Sequence, residues 1–436
     1  MYPLWEVPVL SAGFILGIIA TFHILPSHLS TSAMWFNVFI ETKAYRENRP
    51  ELLEFIKKYA LLLLVFAYVT GTLSGIGIWF SATVASPRAI SGLIHNYVWG
   101  WATEWIFFII EVLGIMIYYY TLGKVEPRIH LKLGWIFAIG SWTTMVIIVG
   151  ILAFMLTPGK WLETGGFFDG FFNQTYFPQL LMRSSFMFAI AGIYAIAVAT
   201  TIKNLEVKKY IMKQASIWGI VGIIAGILFF FLYLKSLPPH NRELLTILNI
   251  GSLKNTIIAS LGFIFLYLIL VYIRPQIIKL PIAVISIVII FAGIFATERI
   301  REMLRKPYIF GNFMYSNQFI AKDLPAKGVK NEVEYINTVG ILQVVPFVPE
   351  DLRIIREENQ FQAGKLIALI QCSSCHALGD SGVRPLKPLV KRIGINEPEV
   401  ADAWLEAIGS YPYMPPFLGT AEERRALALY LSSLAK

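Results

Sequence analysis

Cys372-Ser373-Ser374-Cys375-His376 is the stretch on which the reading of the C-terminal segment turns. Two thiols at this spacing can reach the two vinyl groups of a haem while the adjacent imidazole approaches the iron. The chain has two cysteines in all, so a disulfide framework is excluded and a Cys-rich zinc site would lack its second pair. Met414, in Tyr411-Pro412-Tyr413-Met414-Pro415-Pro416-Phe417, is the candidate sixth ligand, a thioether on a loop stiffened by prolines. Gly364 to Ile370 is expected as the helix leading into the motif, and Glu422 to Leu434 as a terminal helix packed against it. One covalent haem c, six-coordinate through His376 and Met414, would carry one electron at a time.

Upstream of this unit the chain changes character. Of its 436 residues 56% are hydrophobic and 15% charged, and the mean hydropathy is +0.62. That much apolar surface needs lipid as its solvent. Eight apolar runs are long enough to span a bilayer, near 8–30, 57–82, 97–121, 130–157, 178–202, 215–235, 255–273 and 279–298. The first, near Trp5 to Leu25, has no basic flank and contains His23, so it reads as a true span and not a targeting segment. The loops after the first, third, fifth and seventh runs carry fourteen Lys and Arg, among them Lys43, Arg46, Lys124, Arg128, Lys208, Lys209 and Arg274. The alternate loops carry five: Arg88, Lys160, Lys235, Arg242 and Lys254. The bias predicts both termini outside the membrane. It also accounts for the net charge of +9 without a nucleic-acid partner. Haem c attachment takes place on that same outer side.

The expected fold is therefore mainly α: a polytopic bundle of about eight spans, N-out and C-out, followed by a small all-α cytochrome c domain. The divisions expected are 1–310 for the bundle, 311–350 for an interfacial segment and linker, and 351–436 for the cytochrome. Tyr335 to Val348, with alternating apolar residues, suggests a short strand or hairpin in the linker.

Ionisable residues inside spans are costly and so are functional candidates. They are His23, with His28 near the outer boundary, Glu104 and Glu111, Arg183, and the run Glu298 to Arg305. Each also has a plain reading. His23 could be a helix-interface histidine, His28 could face water, Glu104 and Glu111 could be a structural polar pair, and Glu302 a surface charge. His95, His130 and His240 read as solvated, and Trp99, Trp101 and Tyr118 to Tyr120 as an interfacial aromatic belt.

Several of these stretches resemble subunit I of the cytochrome bd quinol oxidases. Phe22-His23-Ile24-Leu25-Pro26 is similar to the family's haem-ligand histidine and its surroundings. Thr70-Gly71-Thr72-Leu73-Ser74-Gly75 resembles the Gly-rich second helix, and Leu133 to Ser141 the fourth. Glu104 and Glu111 match its glutamate pair with the spacing one residue shorter. Glu302-Met303-Leu304-Arg305-Lys306-Pro307-Tyr308 looks like its Glu-x-Gly-Arg-Gln-Pro-Trp motif. The resemblance covers roughly 1–310. It implies one or two non-covalent haems, b and/or d, with His23 and Glu302 as axial ligands and Arg305 compensating propionates. Glu104 would be a haem-facing carboxylate and Glu111 a proton-path residue, and His28 could bind a metal or propionate. A second membrane subunit is also implied.

The departures shape the functional expectation. The family's fifth-helix histidine is absent from Leu181 to Phe186, and no Met lies between Thr256 and Ile273. The short stretch 236–254 leaves no room for the usual quinol-binding loop. The expectation is a bacterial or archaeal cytoplasmic-membrane oxidoreductase, multi-pass and lipid-embedded, with the cytochrome on the outer side. Its external haem c would exchange electrons with membrane haem, reducing O2 or NO with electrons from a cytochrome or periplasmic redox enzyme. The alternative is an electron-transfer and anchor subunit of a larger respiratory complex with no oxygen chemistry of its own.

Overall fold

The computed structural model describes Trp5, Val7 and residues 9–435. Among the described residues eight helices are long and apolar enough to cross a membrane: Ala12–Arg46, Pro50–Ala85, Val98–Thr121, Pro127–Leu156, Tyr176–Ala199, Leu205–Ser236, Gly251–Ile273 and Leu280–Leu304. They are numbered here as spans one to eight. Span one runs sixteen residues further than the apolar run that announced it. Ser11 caps its start by accepting the Phe14 N–H at 3.2 Å, and Lys43 and Arg46 lie in its last turn. These cations belong to a helix end and not to a loop. Asn204 caps span six in the same way, taking the N–H groups of Glu206 and Val207.

Span two is irregular. Its middle, Leu63–Thr70, is π-helical, a geometry often associated with functional sites. Spans five and six approach closely because glycines face backbone. A Cβ at Gly192 would stand 2.4 Å from Ala215 O, and one at Gly222 2.7 Å from Ser185 O. The inner apolar core joins Leu29, Phe36, Phe55, Tyr59, Ile193 and Leu268 from different spans.

At the end of the bundle away from the C-terminal unit two expectations are overturned. His130 is buried, not solvated, because Glu41 of span one meets its Nδ1 at 2.5 Å and Tyr118 O meets its Nε2 at 2.9 Å. Tyr118 is equally buried and donates to Glu41 at 2.5 Å, so it is no part of an aromatic belt. Trp99, by contrast, is 77% exposed, as a lipid-facing ring would be.

The opposite end of the bundle carries short connections. Helix Pro87–Asn96 follows span two, the turns Trp161–Thr164 and Phe167–Phe171 precede span five, and helix Pro239–Ile247 follows span six. A two-stranded antiparallel hairpin pairs Tyr308–Phe310 with Met314–Tyr315. The hairpin expected between Tyr335 and Val348 is instead two short helices, Val333–Val339 and Ile341–Val344. The Glu423 carboxylate accepts the N–H groups of Ile341 and Leu342 at 2.9 and 2.8 Å, so a tertiary cap starts the second helix.

Nor is 311–350 a free linker. Phe319, Ile336, Ile341, Leu342, Val345 and Val348 share one apolar cluster with Ile367, Leu405, Leu427 and Leu431. The C-terminal helices are Gln360–Cys372, Leu386–Arg392, Pro398–Ala407 and Ala421–Ala435. The first and last cross at Gly364, where a Cβ would lie 2.0 Å from Ala426 O. Because eight is even, this unit lies at the same end of the bundle as the chain's start, the end whose loops are poor in Lys and Arg.

Candidate functional site

Helix Gln360–Cys372 ends at the first cysteine, and the chain turns so that the N–H groups of Cys375 and His376 both donate to Cys372 O, at 3.1 and 2.9 Å. Both cysteines are free thiols. His376 Nδ1–H donates to Arg384 O at 2.9 Å, which fixes the tautomer and turns the Nε2 lone pair outward as a ligand. Burial lowers the His376 pKa to about 4, so the imidazole is neutral and ligand-competent across the physiological range. Arg384 reaches this position with φ near 47°. Burial pushes the Cys372 thiol up to about 12. At Cys375 burial acts the same way, but the Lys306 ammonium from the end of span eight overrides it and brings the thiol down. Met414 sits in a turn closed by its N–H to Tyr411 O at 3.1 Å, and is half-buried. The donor set, two thiols, one oriented imidazole and one thioether, fits a covalently held haem.

Beneath this loop a narrow cleft of about 100 Å³ opens into the end of the bundle. Ser374 of the Cys-x-x-Cys-His stretch lines it together with Glu302, Arg305 and Lys306. Its apolar walls include Leu16, Ala85, Leu93, Met155 and Phe310. Glu302 is held by Arg299, which donates to Oε2, and by Lys306, whose Nζ lies 3.3 Å from Oε1. Arg305 donates to Met155 Sδ at 3.9 Å, and its buried Nε has no partner among the described residues. Burial and the neighbouring Arg301 lower the Arg305 pKa to about 10, which leaves it charged at neutral pH. A buried guanidinium with an unsatisfied Nε, beside a carboxylate in an apolar slot, suits a flat apolar group with acidic substituents, as a haem is.

The turn after span eight is fixed from outside. His240 Nε2–H donates to Lys306 O at 3.0 Å and Asn241 Nδ2 to Leu304 O at 2.6 Å. His240 is thus a clamp on the helix end and not a solvated side chain.

His23 is not in the cleft. It lies seven residues beyond Leu16 on span one, about 10 Å of helical rise further into the bundle. Its Nδ1 donates to Ser74 Oγ at 3.0 Å, and a Cβ at Gly75 would stand 3.4 Å from its ring. Span two is thin at that level, and the Nε2 lone pair is left for a ligand. His28 differs. Its Nδ1–H donates to Ile24 O at 3.0 Å and its Nε2 meets Arg183 Nη1 at 3.4 Å, so both nitrogens are engaged. Arg183 continues to Glu298 at 3.4 Å, and Glu298 to Arg301 at 2.5 Å. This ion-pair chain takes in the fifth-span stretch that lacks a histidine.

Glu111 is buried. Tyr68, from the π-helical stretch, donates to its Oε2 at 3.1 Å, and Thr144 of span four donates to Oε1. Glu104 lies two turns away on the same face of span three and is half-buried. Among the described residues no three His, Cys, Asp or Glu side chains converge as a metal site. Haem iron needs only one or two protein donors.

The fold is that of a bd-oxidase-like membrane bundle, mainly helical, with a smaller helical unit seated on one end. The solved structure of the bd oxidase from Geobacillus thermodenitrificans superposes with a TM-score of 0.61 at 14% identity, over 74% of this chain and 91% of that one. No protein-family model matches the sequence, and no curated protein matches it.

Proposed function

We propose that the protein is a bd-type membrane haem oxidoreductase. It accepts electrons at an external haem c and passes them to membrane-embedded haem where O2, or NO, is reduced. The observation that carries this reading is the cleft itself, in which Ser374 from the haem c motif and Glu302 with Arg305 from the bundle line one space. Cys372 and Cys375 would hold haem c, and His376 and Met414 would supply the donors for its iron. Bound haem supplies one-electron redox chemistry and, in the bundle, an open iron position. Glu302 and His23, at different depths, would serve two different irons, and Arg305 would neutralise a propionate. Glu111, with the Tyr68 and Thr144 hydroxyls on its carboxylate, holds a proton for the reduction, and Glu104 stands two turns further along. His28, engaged with Arg183, belongs to the ion-pair chain that orders spans one, five and eight.

The protein would sit in a prokaryotic cytoplasmic membrane with the haem c unit outside, beside a second membrane subunit and served by a soluble cytochrome or periplasmic redox enzyme. The purified protein, given a reduced soluble c-type cytochrome, is expected to consume O2 or NO. Donor oxidation that needs a copurified partner, with neither gas consumed, would instead establish the electron-transfer-subunit reading.

A further inference from the structure

The C-terminal unit meets the bundle at four independent places. The Val383 N–H donates to Val9 O at 3.1 Å, and Gly382 lies so close that a Cβ there would stand 1.7 Å from the same carbonyl. A Cβ on Gly13 of span one would stand 2.9 Å from Ser374 O. Tyr413, next to Met414, packs on Leu156, Tyr233, Leu244 and Leu304 of the bundle. Arg88 forks onto Glu332, Nη2 to Oε1 at 2.7 Å and Nη1 to Oε2 at 2.9 Å, and its N–H donates to the Gln318 side chain at 3.0 Å. The attachment loop, the Met loop and the base of the unit are thus all anchored. At the centre of the contact Lys306 lies between Glu302 and Cys375.

We infer that the haem c site is permanently docked over Glu302, with Lys306 as the positioning residue at the contact, so that electrons pass inward without any swing of the C-terminal unit. The inference rests on the proposed function. With both haems bound, the Lys306–Glu302 contact would hold donor and acceptor in register for a one-electron transfer, in which one ferrous iron would become ferric as one ferric iron becomes ferrous, with no bond made or broken. A flexible tether would leave the attachment loop and Met loop in solvent. Here a glycine with φ near 108° is pressed on the Val9 carbonyl, just ahead of span one, an approach that permits no side chain.

The test uses the full chain in detergent and follows internal electron transfer after rapid reduction of haem c, with and without glycerol. A docked site predicts a rate independent of viscosity. It also predicts a fall of about tenfold or more in Gly382→Ala, which must push the loop off its seat, at unchanged haem c content. Lys306→Met, which leaves the backbone seat intact, is expected to slow the same step severalfold and shift the haem c midpoint potential. A rate that drops with viscosity in the wild-type chain, or one unchanged in both variants, overturns the inference while leaving the proposed function standing. Spectra with no haem besides haem c overturn both.

Discussion

Glu111 is the residue whose surroundings most limit what it can do. It is buried among apolar neighbours, and both of its oxygens accept hydroxyl hydrogens. Glu111→Gln keeps the shape and an oxygen for either hydroxyl but cannot exchange a proton. A drop in O2 reduction of about a hundredfold is expected, with haem content unchanged. Wild-type turnover by this variant would remove Glu111 from the proton path. The glutamates and His23 were legible in the sequence because a charge or imidazole inside an apolar run is conspicuous. Their partners were not, and neither was the Glu41–His130 pair, whose members stand 89 residues apart. His130 lies at the edge of an apolar run, where solvation is the ordinary outcome, and no local signal announces a carboxylate arriving from span one. The same holds for Arg88 and Glu332, 244 residues apart.

At the scale of elements, length and hydropathy located all eight spans, but ends depended on caps and packing. Span one continues to Arg46 because its polar last turns still bury Asn37, Ile40, Glu41 and Ala44. The stretch from Tyr335 to Val348 misled because alternating apolar residues look like a strand. Burial of Ile336, Ile341, Leu342 and Val345 against the C-terminal helices, with Glu423 as cap, decides for helix. The crossing of Gln360–Cys372 with Ala421–Ala435 was foreseen as a pairing, though the dependence on Gly364 was not. Gly364→Val should prevent that crossing, since even a Cβ would meet Ala426 O at 2.0 Å. The expected outcome is loss of covalent haem staining while the membrane spans still insert. Normal haem attachment in this variant would contradict the packing described.

Across the whole molecule, the sequence separates a lipid-embedded bundle from a polar C-terminal unit but says nothing about how the two meet. That meeting turns on a backbone pair, Val383 to Val9, and on close approaches at glycines, none of which leaves a mark in composition or periodicity. The segment 311–350, which mixes Gly, Pro, polar and alternating apolar residues, reads as an interfacial segment and linker, yet it supplies a face of the C-terminal core and the Glu332 anchor. The result is a single end of the bundle where the start of span one, the end of span eight and the Cys-x-x-Cys-His loop converge on one cleft. The central claim is that this cleft joins a covalent haem to a membrane haem. Haem extraction with pyridine haemochrome quantification, coupled to a CO-difference spectrum of the reduced protein, tests it most directly. The account predicts one non-extractable haem c per chain and at least one extractable haem that binds CO. Haem c alone, with no CO-reactive species, would contradict it.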